Sequence, residues 1–137
     1  MASGDRNYLT IRGTGIGHHG YGLMFNSLKK SLESKVTLTD KASVVVDVMQ
    51  PGMVKGWWEG QYRVLFTMWE TDKLPYSMAE LLPQFDQILV PCKHNLELYQ
   101  KYHPNVSFVP LGVDTDVWFP REKKPAKKPF RDRKSVV

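Results

Sequence analysis

The most unusual pattern in this 137-residue chain is Gly13-Thr-Gly-Ile-Gly-His-His-Gly-Tyr-Gly22, with five glycines in ten residues. Glycines let the backbone turn tightly and bring its N–H groups close to an anion, so such a loop before a helix suits a phosphate. Gly15, Gly17 and Gly20 fit the G-x-G-x-x-G spacing, and Asp40 lies 20 residues beyond, where a dinucleotide site places its ribose-binding carboxylate. The loop runs on through Tyr21 and Gly22, longer than the compact dinucleotide turn. His18 and His19 stand inside it. Adjacent histidines diverge, and no Asp, Glu or Cys cluster accompanies them, so no metal site is expected; a polar contact or acid–base work stays open to His18.

Two further points could carry chemistry. Glu70 directly follows the apolar run Val64–Trp69, from which a carboxylate would emerge fixed by a rigid element. It could accept hydrogen bonds from sugar hydroxyls or act as acid or base, or else simply line the loop before Leu74-Pro75. Cys92 and Lys93 follow another apolar run at the expected start of a helix, a place that can lower a thiol pKa. No histidine is tied to Cys92 by spacing, so packing or capping is its expected part, with Asn95 as a polar contact at the helix start.

The elements that must position these residues alternate between strand and helix patterns. Tyr8–Arg12 reads as a first strand, and a helix follows the glycine loop with Leu23, Met24, Phe25, Leu28 and Leu32 on its apolar face. Short strands are expected at 36–39 and 43–49, then a Pro51-Gly52 turn and an ambiguous stretch around Trp57-Trp58. Arg63–Trp69 reads as a strand buried on both faces. Ser77-Met-Ala-Glu80 has the form of a capping box. Gln87–Val90 is a strand, Lys93–Tyr102 a helix with Leu96 and Tyr99 inward, and Val106–Val109 a last strand. This alternation predicts an α/β domain with a parallel sheet, in which ligands gather outside the carboxyl ends of the strands.

Composition narrows the class. Hydrophobic residues make up 42% and aromatics 12%, enough for a core, and no apolar run approaches the roughly 20 residues of a membrane span. One cysteine permits no internal disulfide, and the start of the chain carries no apolar leader, so a cytoplasmic location is expected. The net charge is +5, but residues 121–137 alone carry +6 and residues 1–120 carry −1. The basicity belongs to a tail. A specific nucleic-acid surface is therefore not expected, and the tail offers at most weak contact with anionic surfaces.

Three segments together resemble the amino-terminal half of GT-B glycosyltransferases, most like family 4. They are Phe66-Thr-Met-Trp-Glu-Thr-Asp-Lys-Leu-Pro75, Phe85-Asp-Gln-Ile-Leu-Val-Pro-Cys-Lys-His-Asn95 and Val109-Pro-Leu-Gly-Val-Asp-Thr-Asp-Val-Trp-Phe-Pro120. Cys92 stands where the family commonly has serine. The resemblance implies a Rossmann-like parallel sheet with flanking helices, one half of a GT-B fold. It would span residues 1–120, followed at 121–137 by a basic linker and the start of an absent second domain. It further implies sugar transfer from a nucleotide-sugar donor to an unidentified acceptor, with no cofactor and no metal.

By this resemblance Gly15 and Gly17 contact the donor diphosphate and Glu70 is the catalytic residue on the acceptor side. His18, Tyr21, Thr71, Gly112 and Asp114 are substrate-binding, the last two with Val113 at the cleft edge. The partner is a carboxyl-terminal donor-binding domain, separate or missing, without which this half is expected to be inactive. Two other readings stay open: a noncatalytic interaction module working through the basic tail, and a small dinucleotide-binding domain.

Overall fold

A computed structural model describes residues 7–14 and 20–122. Six strands form one sheet: β1 (Tyr8–Gly13), β2 (Thr37–Leu38), β3 (Val44–Val48), β4 (Tyr62–Phe66), β5 (Gln87–Val90) and β6 (Val106–Phe108). Their order is β2-β1-β3-β4-β5-β6 and every neighbouring pair is parallel. Three helices flank the sheet: α1 (Gly20–Leu32), α2 (Tyr76–Ala79) and α3 (Lys93–Tyr99). The fold is α/β and Rossmann-like, as the alternation predicts. The chain steps outward from β1 to β2 and then returns past β1 to β3, so the sheet has a switch point between β1 and β3.

Alternating side chains give the sheet two apolar faces. Val46, Val48, Val64 and Phe66 point to the face that Met24 and the rest of α1 cover. Leu65, Ile88 and Val90 point the other way, against Leu98 and Tyr99 of α3 and against Leu74, Leu82 and Phe85. Each fully buried aliphatic side chain of this kind contributes about 1.5–3 kcal/mol. Gly13 lets α1 lie close on its face: a Cβ there would stand 2.4 Å from Phe25 Cδ2 and 3.0 Å from Phe25 Cβ, so rotating the ring alone could not relieve it.

The β3–β4 connection has no α-helix; it makes a single 3-10 turn at Pro51–Met53 and then runs irregularly to Tyr62. Trp57 fills the place a crossover helix would take, its ring edge-to-face with Phe85 at 5.4 Å and beneath the Arg63 guanidinium at 4.8 Å. Cross-strand register fixes this loop. Arg12 of β1 stands opposite Asp47 of β3, and the two pair through two bonds along one edge of the guanidinium, Nε–Oδ1 at 2.6 Å and Nη2–Oδ2 at 2.9 Å. Asp47 is fully buried, and Trp57 Nε1 also donates to it at 3.2 Å. The remaining guanidinium nitrogen donates to the carbonyls of Lys55 and Gly56. Gly56 and Gly60, with φ of 41° and 80°, supply the left-handed turns of the loop.

Two local expectations need correction. The Ser77–Glu80 capping box does not form, because α2 begins at Tyr76 with Pro75 in the capping position and Ser77 already inside the first turn. The strand expected over Arg63–Trp69 ends at Phe66. Thr67 N still bonds to Leu89 O, but Met68 N turns to Tyr21 Oη and Trp69 N to Asn95 Oδ1, so side chains take over from the ladder.

Candidate functional site

At the carboxyl end of β4 the backbone of Met68–Lys73 is held from three sides. From α1, Tyr21 Oη lies 3.0 Å from Thr67 Oγ1 and 2.9 Å from Met68 O, and it accepts from Met68 N. From α3, Asn95 clasps Trp69 through two bonds: its Nδ2 donates to Trp69 O at 2.7 Å and its Oδ1 accepts from Trp69 N at 2.9 Å. From within the turn, Trp69 Nε1 donates to Thr71 Oγ1 and Lys73 O, and Thr71 Oγ1 donates to Lys73 O. Glu70 sits in the middle, exposed, on a backbone whose neighbours on both sides are fixed. A carboxylate carried this way gives up little backbone freedom when it meets a ligand.

Beneath the turn, Tyr99 is fully buried and its hydroxyl meets no hydrogen-bond partner among the described residues. Burial holds its phenol pKa well above the ordinary tyrosine range; Thr67 pulls weakly the other way, and the nearby Tyr21 and Glu70 add to the rise. The Thr67 hydroxyl is engaged with Tyr21 and does not reach Tyr99 at hydrogen-bonding geometry. The buried His103 donates from Nε2 to Phe85 O at 2.9 Å, and its Nδ1 lies 3.1 Å from Asn105 N and 3.2 Å from Asn105 O.

The sequence-predicted residues fall into three groups. Gly15, Gly17 and His18 lie outside the described residues. Glu70, Thr71 and Tyr21 come together at the β4 rim, but Tyr21 and Thr71 spend their hydroxyls on bracing the turn, whereas Glu70 has no hydrogen-bond or ion-pair partner among the described residues. Gly112 and Asp114 lie in the exposed segment after β6. Asp114 Oδ1 accepts from Asp116 N at 3.0 Å, and Oδ2 lies 3.6 Å from Lys30 Nζ, in the half of α1 away from the rim. Nothing on β4 bonds to it among the described residues.

Sequence reasoning missed two functions of side chains. Asn95 was expected to contact its own helix start; it reaches across to Trp69, from a position only 2% exposed. The Arg12–Asp47 pair went unread, although a lone acid inside Val44-Val45-Val46-Asp47-Val48 was a signal that a cation must face it. Cys92 is exposed and takes the capping position of α3 without a side-chain capping bond. Among the described residues no cluster of three or more His, Cys, Asp or Glu side chains could hold a metal ion, and no helix is long and apolar enough to cross a membrane.

The class these features define is an α/β, Rossmann-like domain with a braced turn at the carboxyl rim of its sheet. No family model, curated protein or solved structure matches the chain.

Proposed function

We propose that this chain is the acceptor-side half of a GT-B-type glycosyltransferase, most like family 4, with Glu70 facing the sugar acceptor. The observation that carries the reading is the clasp between Asn95 and Trp69. These residues belong to two of the three segments on which the resemblance rests, 26 residues apart. Their contact gives the shared spacing a physical purpose, which is to hold a carboxylate still at the ligand edge of a parallel sheet. The first turn of α1, directly after the glycine-rich segment, braces the same turn through Tyr21, so a diphosphate held at that segment would lie along the same rim.

The geometry supports two roles for Glu70, binding of acceptor hydroxyls and acid–base assistance to the attacking hydroxyl. Sugar transfer also needs a donor held in line and charge placed around the leaving diphosphate. In this reading those come from a carboxyl-terminal domain. A surface suited to it follows β6, where Val113, Val117, Trp118 and Phe119 are all exposed, Trp118 at 72%. A run of apolar side chains of this kind is typical of an interaction surface.

The test is a titration of the isotope-labelled chain with di- and trisaccharides and with uridine and guanosine diphosphate sugars, followed by amide shifts. The reading predicts saturable shifts at Glu70 and Thr71 with an acceptor saccharide, lost in Glu70→Gln. Shifts confined to the basic tail, or none at the rim with any saccharide, would contradict it.

A further inference from the structure

At the β2 edge of the sheet, on the face covered by α1, lies a depression of about 220 Å3 lined by Ile11, Phe25, Lys29, Leu38, Thr39 and Asp40. Its origin is local. β2 contributes only Thr37 and Leu38 to the ladder with β1, while α1 runs on to Leu32. Ile11, Leu38 and the half-buried ring of Phe25 make one apolar part of the wall, and Thr39, Asp40 and Lys29 make the polar rest. Asp40 and Lys29 line one space, yet neither side chain forms an ion pair with the other or with any other described residue.

We propose that this depression is a monosaccharide-binding site, separate from the Glu70 rim. A sugar hydroxyl both donates and accepts. The lining offers one group of each complementary kind: a carboxylate that accepts, an ammonium that donates and a hydroxyl that does both. The C–H face of a pyranose matches the wall of Ile11, Leu38 and Phe25. The volume falls below the roughly 300–1,000 Å3 of pockets for larger ligands and holds one ring. The inference stands on these six residues alone and goes beyond the function proposed above.

The experiment is a titration of the labelled chain with methyl α-D-glucopyranoside, methyl α-D-mannopyranoside and N-acetylglucosamine. L-Leucine and adenosine monophosphate serve as competing probes, because a zwitterion or a nucleotide could also use Asp40 and Lys29. We expect saturable shifts at Ile11, Leu38, Thr39 and Asp40 with at least one sugar, at a Kd on the order of millimolar. Asp40→Asn should weaken that binding roughly tenfold, through loss of a charge-assisted hydrogen bond. Glu70→Gln should leave it unchanged. The proposal is overturned if no sugar gives saturable shifts there, if leucine or the nucleotide binds these residues more tightly than every sugar, or if Asp40→Asn has no effect. Shifts here with none at Glu70 would uphold this site and count against the glycosyltransferase reading; shifts at Glu70 alone would do the reverse.

Discussion

Two polar assemblies sit at neighbouring places in the same sheet and have opposite characters. Between β1 and β3, Arg12 and Asp47 answer each other completely: the carboxylate receives two bonds from one guanidinium edge and an indole N–H, and the spare guanidinium nitrogen holds two loop carbonyls. At the end of β4, the hydrogen bonds brace the turn around Glu70, and the carboxylate at its centre is left exposed. A charge that its own fold satisfies holds the structure together. A charge that the fold positions and leaves unanswered is available to a ligand. The difference between the two regions is the physical basis for choosing Glu70, and substitution can attack it on either side.

The largest effect is expected at Arg12. Arg12→Ala strands a carboxylate that is 0% exposed, and breaking a buried pair in this way costs about 3–5 kcal/mol. Arg12 itself keeps 33% side-chain exposure, which places the expected loss toward the lower end of that range. Urea unfolding reads it. A loss under 1 kcal/mol would mean that the pair is ornamental and that the contrast with Glu70 fails.

Gly13→Ala comes next. The new methyl group would meet the base of the Phe25 side chain, so α1 must lift from β1, at a cost of about 1–3 kcal/mol. A melting curve checks this, and unchanged stability would show that α1 packs less closely than described.

Tyr99→Phe should be neutral or stabilising by up to about 1 kcal/mol, since it removes a buried hydroxyl that has no partner. Its pH dependence is sharper. The folded-state pKa is raised, so below about pH 10 the phenol is neutral in both folded and unfolded states and nothing is lost. Above that the unfolded chain releases the proton while the buried phenol keeps it, and stability falls as pH rises. Urea titrations from pH 8 to 11 should show this decline in the wild type and a reduced decline in Tyr99→Phe; identical profiles would show that the hydroxyl is not buried in solution.

The smallest effect on stability is expected at Glu70 itself. Glu70→Gln removes an exposed charge without a described partner, and surface changes of this kind stay within about 0.5 kcal/mol. A greater loss would move Glu70 into the structural class with Asp47.

Much of this architecture is legible in the sequence, and the rest is hidden for a definite reason. The run Val64-Leu-Phe66 and the segment Gln87–Val90 announce buried parallel strands, because apolar residues on both faces have few other destinations. The glycine-rich segment marks the end of β1, and Glu70 marks a carboxylate at the rim. What the sequence conceals is whatever depends on register across the sheet. Nothing local to Asp47 says that Arg12 will lie opposite it, and nothing local to Asn95 says that α3 will aim it at Trp69. For the same reason β4 reads as three residues too long: its apolar character continues through Met68 and Trp69, while their N–H groups are captured by Tyr21 and Asn95. Tyr21 and Thr71 were legible as members of the rim, but only the hydrogen bonds show that they brace it.

The most direct measurement removes the clasp and reads both of its consequences. In Asn95→Ala, amide exchange at Trp69 should rise sharply while Leu65 and Ile88 in the core stay protected, and the acceptor-saccharide shifts at Glu70 should fall away with the lost protection. Saccharide shifts at Glu70 that persist undiminished after Trp69 has lost its protection would contradict the claim that a braced turn is what makes Glu70 a binding residue.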